Sequence, residues 1–211
     1  MTETRKKITV AMMLLFAPAT RALADSAADG VPAISGSVTG YYYAMRDQSD
    51  FGVGVASLNR DTLHVEARYN YEAMHSASIF AGWNFSAGET LTFAVTPLIG
   101  VLFGDVRGVI PGVEASVAYG DVDGYIEAEY VHDLGNRSDS YFYAWSEVGW
   151  KPAHWLRIGL VGQRSQDVNN GRDFQRGAFV QLMFGKVTLG FYGFNPDSGS
   201  RYGIFSLGAQ F

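Results

Sequence analysis

No cysteine occurs in the 211 residues, so the fold carries no disulfide staple and no lipid anchor on a cysteine. No run of about 18 apolar residues follows residue 24, which excludes helical membrane spans. Low-complexity linkers and long blocks of like charge are also missing, so a single domain is expected. Basic residues are the scarcer sign, 16 against 21 acidic. That balance lacks the basic footprint that nucleic-acid binding requires.

The first residues carry a compartment signal. Arg5, Lys6 and Lys7 form a basic head, residues 8–19 an apolar core too short to span a bilayer, and Ala22, Leu23 and Ala24 a small-x-small site before Asp25. The pattern predicts a secretory signal over residues 1–24 with cleavage after Ala24, a short lead over 25–32 and one domain over 33–211. The leader removes four basic residues and one acidic residue, leaving 12 against 20, a net charge of about −8.

The rest of the chain alternates with a period of two. In residues 62–72, Leu63, Val65, Ala67, Tyr69 and Tyr71 fall on one side and His64, Glu66, Arg68, Asn70 and Glu72 on the other. Residues 125–133 and 155–163 repeat the pattern. Twelve strands are predicted, at 33–45, 51–58, 62–72, 77–86, 90–103, 109–120, 124–133, 141–151, 155–164, 176–185, 187–194 and 202–211, with ten as the alternative count. Alternate connections are tight (59–61, 87–89, 121–123, 152–154, Lys186), while several of the others are longer and polar, notably 165–175. Short turns on one side and longer loops on the other is the pattern of a membrane barrel.

One phase assignment sorts the outward aromatics into two rings. Tyr42, Tyr69, Tyr71, Phe103, Tyr130 and Phe142 fall at the loop ends; Trp83, Phe85, Tyr119, Trp150, Phe184 and Phe211 fall at the turn ends. Small and aliphatic residues lie between them, as a lipid-facing band requires. A soluble sandwich or lipocalin-like barrel accounts for the abundance of aromatics but not for their two levels.

Signal, amphipathic strands, aromatic girdles and a terminal phenylalanine together resemble the bacterial (Gram-negative) outer-membrane β-barrels, porin-like as a class, with no single family singled out. The resemblance implies an all-β, antiparallel up-and-down transmembrane barrel set in outer-membrane lipid. It also implies that the assembly machinery reads the last strand, here through Phe205, Leu207 and Phe211, although Gly203 and Ala209 are weaker than the class pattern. Barrels of this size serve as sugar-acid pores, nucleoside channels, a phospholipase or a lipid A deacylase, so function has to come from the interior.

Inside, one wall is expected to be small (Ser35, Ser37, Thr39, Gly52, Gly54, Ala56, Gly82, Thr92, Ala94, Thr96, Gly112, Ser116). The other is bulky and charged, with Trp145 among its residues, and Glu66 and Arg68 also face the lumen. If Asp133 faces Tyr141, then Glu127 faces Glu147, and Arg157 lies diagonal to Glu147. Glu129 and Glu114 join from neighbouring strands. This lumen cluster reads as an acidic constriction in a small passive channel for hydrophilic neutral or cationic solutes, or as a salt-bridged tie in a plugged structural barrel. An enzyme is the competing class: His75 with Ser76, or His132 with Asp133, stands at a rim without an extended motif. No metal spacing is present and nothing calls for a cofactor.

Overall fold

The structure, a computed structural model, describes residues 34–46, 48–167 and 171–211. The expected signal, its cleavage site and the lead lie outside the described residues. Thirteen strands follow one another: β1 (Ile34–Met45), β2 (Phe51–Arg60), β3 (Leu63–Tyr69), β4 (Ser76–Trp83), β5 (Phe85–Ala87), β6 (Leu91–Gly104), β7 (Gly108–Tyr119), β8 (Val122–Asp133), β9 (Tyr141–Ala153), β10 (Leu156–Asp167), β11 (Gly171–Phe184), β12 (Val187–Phe194) and β13 (Tyr202–Gln210). Each pairs antiparallel with its sequence neighbour, and β13 pairs with β1, so the sheet closes.

The thirteenth strand comes from a break rather than an extra crossing. Strands β4 and β5 both pair with β6 in one continuous register, Gly82 opposite Leu98 and Phe85 opposite Val95. The ladder lapses at Trp83 and Asn84 because Trp83 falls opposite Pro97, which has no N–H to donate, and the Asn84 side chain bonds to Asn59 and Thr96. The barrel is therefore twelve-stranded, as the alternation predicts.

Tight turns occupy one end. Four of them place a residue in the left-handed region: Asp61 (φ 52°), Gly88 (95°), Gly120 (57°) and Gly185 (60°). Glycine takes that conformation without a Cβ clash, and aspartate is among the few residues that tolerate it. Phe211 ends the chain at this same end. Its N–H donates to Gly36 O, and Gly36 N–H donates to Phe211 O, both at 2.9 Å, so the terminal residue is part of the seam.

Large apolar side chains cover the exterior, and both aromatic levels are present there. Tyr42, Tyr69, Phe103 and Tyr130 ring the loop end; Trp83, Phe85, Tyr119, Trp150, Phe184 and Phe211 ring the turn end. Such a surface is stable against lipid and not against water.

Three local expectations fail. Tyr71 is inside rather than outside, because β3 stops at Tyr69: Asn70 adopts φ 57° and residues 70–72 turn into the lumen before the chain returns to the surface at Met74 and His75. Strand β2 has the opposite phase, with Val53, Val55 and Ser57 inward and Gly52, Gly54 and Ala56 on the outer face. Its sequence, FGVGVASL, carries no charge to mark a face, and register against β1 decides it. The predicted loop 165–175 is largely strand, since β10 and β11 stay paired out to Asp167 and Gly171.

Candidate functional site: two guanidiniums in the lumen

Arg68 and Arg157 are each seated in the same way. At Arg68, inward-facing Gly100 has no side chain to collide with the Phe80 ring, which lies flat on the wall. The guanidinium carbon then stacks 4.2 Å from the Phe80 centroid, with Tyr71 at 4.3 Å. At Arg157, a Cβ on Gly159 would meet the Phe179 ring at 2.6 Å, and the guanidinium stacks 4.6 Å from that ring. A Cβ on Gly149 would lie 2.5 Å from Arg157 Nε, so this second glycine also makes room. Cation–π contact fixes the plane of each guanidinium and leaves its edges free to bind carboxylates.

Arg68 gathers five carboxylates. Its Nε donates to Glu66 Oε1, and its Nη1 is 3.1 Å from Glu127 Oε1, 3.0 Å from Glu129 Oε2 and 3.4 Å from Glu72 Oε1. Glu114 Oε1 is 3.9 Å from Nη2. The inward turn at 70–72 tightens the group: Tyr71 donates to Glu127 Oε1 at 2.9 Å, and Tyr141 donates to the Glu72 carbonyl. Ser78 donates to Glu72 Oε1 at 2.8 Å. Because β3 and β8 are not neighbours in the sheet, these contacts cross the lumen.

Arg157 is better matched. It donates to both oxygens of Asp123, to Glu147 Oε2 at 2.6 Å and to Gln181 Oε1 at 2.9 Å. Lys151 Nζ adds a second cation 3.2 Å from Asp123. The other oxygen of Glu147 accepts from Trp145 Nε1 at 3.1 Å and Tyr192 OH at 3.3 Å.

The expected cluster of Glu127, Glu147, Arg157, Glu129 and Glu114 is thus divided. Glu127 does not face Glu147: it pairs with Trp145, and Glu147 pairs with Tyr125. The register differs by two residues because Asp133 does not face Tyr141. Its carboxylate instead accepts from the N–H groups of Gly135 and Asn136 to shape the loop. Glu127, Glu129 and Glu114 join Arg68 and Glu66, while Glu147 joins Arg157 as expected, with Trp145 beside it. Gln181 and Tyr192 were expected on the bulky wall of the lumen but not as partners of the cluster, Tyr71 was expected outside, and Glu72 and Asp123 were not singled out from the sequence. Glu72 had a usable signal, four residues after Arg68; Asp123 was hidden in what read as a turn.

The rim candidates for hydrolysis are not assembled. Ser76 is buried, with its hydroxyl bonded to the backbone of Met74 and Val106, while exposed His75 lies 3.4 Å from Asp105. His132 stacks near Tyr130, and Asp133 is committed to its loop. Among the described residues no three histidine, aspartate or glutamate side chains have the spacing of a metal site.

No protein-family model matches the chain, and neither does any curated protein. Solved structures do. The KdgM porin superposes with a TM-score of 0.61 at 8% identity, over 83% of this chain and 98% of that one. The same porin in complex with disordered oligogalacturonate gives 0.61 at 7%, with the same coverage. The NanC porin gives 0.56 at 13% identity, again over 83% and 98%. The chain has the fold of the outer-membrane porins. At these identities the likeness is one of architecture alone.

Proposed function

We propose that the protein is exported to the outer membrane and acts there as a narrow passive channel favouring small neutral and cationic solutes, with Arg68 and its carboxylates as the waist. The observation that carries this reading is the charge of the lumen. Seven buried carboxylates (Glu66, Glu72, Glu114, Asp123, Glu127, Glu129, Glu147) face two guanidiniums. An acidic constriction with low-dielectric walls concentrates cations and repels anions. A polyanion such as the oligogalacturonate held by one fold neighbour meets the wrong sign here. The lipid-facing belt and the terminal seam support the location. Phe205 and Leu207 on β13 and Phe211 just past its end all point outward, where an assembly factor has access to them.

A plugged structural barrel is the second reading, favoured by the absence of exposure at the Arg68 and Glu66 side chains and by the bridges that cross the lumen around them. Planar-bilayer recording on refolded protein separates the two. Steady cation-selective steps are expected, and Tyr71→Ala, which removes a ring from the lumen, raises their amplitude. Silence from both proteins assigns the barrel a structural role, and lipid hydrolysis by the same sample revives the enzyme. Export is tested apart: the mature chain is expected to begin Asp25, Ser26, Ala27.

A further inference from the structure

The shortage of cations at the waist falls on particular atoms. Glu114 Oε1, Glu66 Oε2 and Glu72 Oε2 are buried and receive no hydrogen bond, and Arg68 Nη2 has no acceptor within hydrogen-bonding range. His64 Nε2 stands 3.9 Å from the Glu66 oxygen, whereas Glu114 has only Arg68 Nη2 at the same distance. Glu114 stands directly opposite Glu127 in the β7–β8 register, so like charges meet across the ladder. It is also the carboxylate with the most access: its side chain is 8% exposed, against 0% for Glu66 and 1% for Glu127. Glu114 is therefore where the cluster meets the remaining space of the lumen.

A buried carboxylate without a donor forfeits its solvation, and native structures resolve such atoms with a proton, a water or an ion. Water fills a lone pair but leaves the charge. Five carboxylates share one guanidinium, and three of their oxygens, on Glu66, Glu72 and Glu114, lack a donor; ionisation of more than one of the five leaves the place negative. We propose that Glu114, with Glu66, docks a small, partly dehydrated monovalent cation. Two carboxylates offer fewer oxygens than a resident metal takes, so the ion is weakly held and exchanging. As a station in transit this role rests on the channel reading; as a binding site it does not.

The test compares thermal unfolding of refolded, detergent-solubilised protein in sodium chloride and in N-methyl-D-glucamine chloride at equal ionic strength. Sodium fits beside a carboxylate pair and the bulky organic cation does not. The wild type is expected to melt about 3–5 °C higher in sodium, the shift produced when a ligand stands near ten times its dissociation constant. Glu114→Gln breaks no hydrogen bond at Oε1, so it is expected to fold and to lose that difference. Equal melting in the two salts overturns the proposal, as does a sodium effect undiminished in Glu114→Gln. Should the variant fail to fold, ²³Na relaxation on the wild type decides: saturable broadening supports the site and a flat response rejects it. A sodium effect without conductance keeps the site and removes the channel, whereas conductance without a sodium effect does the reverse.

Discussion

Arg68 and Arg157 are built alike and supplied differently. Each rests on a phenylalanine that lies flat because a glycine beneath it has no side chain. Around Arg157, two carboxylates are met by a guanidinium, a lysine, an indole and a phenol, the Gln181 carbonyl accepts from the guanidinium as well, and the group is nearly saturated. Around Arg68, five carboxylates share one guanidinium, and buried oxygens remain without donors. The same seat thus yields a tie in one case and a surplus in the other. A saturated ion pair fastens strands together, and an unsaturated one has capacity left for something else.

The sharpest way to break the contrast is to remove each guanidinium in turn. Arg68→Gln strands five carboxylates in a buried space and is expected to cost at least about 3–5 kcal/mol, the range for leaving buried charge unpaired. Loss of the heat-modifiable folded form on gels reads this out. Arg157→Gln is expected to cost less, toward about 3 kcal/mol, because Lys151 still serves Asp123 and the phenol and indole still serve Glu147. Equal losses would mean that the difference in supply has no energetic meaning.

A pair of milder changes sharpens the comparison. Glu129→Gln belongs to the Arg68 group and Asp123→Asn to the Arg157 group, six residues apart on β8 or about 20 Å. Their effects on stability are expected to add within about 0.5 kcal/mol. Coupling well beyond that would show one network where two are described.

The smallest effect belongs to a carboxylate outside the lumen. Exposed Asp50 accepts from Tyr42 OH at 2.6 Å and from Met45 N at 2.9 Å, and the phenol first, then the amide, holds its carboxyl below the ordinary aspartate value. A lowered folded value means its contribution is complete above the ordinary aspartate range and is lost as pH falls through the lower one. Asp50→Asn should flatten that acid limb slightly and leave lumen selectivity unchanged, as recorded by melting curves at several pH values.

Much of this was legible in the alternation. Strand number, both aromatic levels and the closing role of Phe211 follow from a period of two with polar markers on one face, as in residues 62–69. Where the markers are missing, in FGVGVASL, the phase comes from pairing with β1, which no local pattern states. The lumen residues were identifiable as a set but not as partners. A two-residue register change, set by Asp133 folding its own loop, moves Glu127 from Glu147 to Trp145 and so from one guanidinium to the other. The inward turn at 70–72 was unreadable for a similar reason: Tyr71 and Glu72 continue the alternation, and only the left-handed backbone at Asn70 shows that the strand has ended.

The central claim is that surplus acid at the waist selects cations. It is tested most directly by the reversal potential of single channels under a tenfold potassium chloride gradient. The wild type is expected to reverse toward the potassium equilibrium potential, with Glu114→Gln displaced toward zero and Arg157→Gln displaced the other way. A reversal at zero or toward chloride in the wild type would contradict the account.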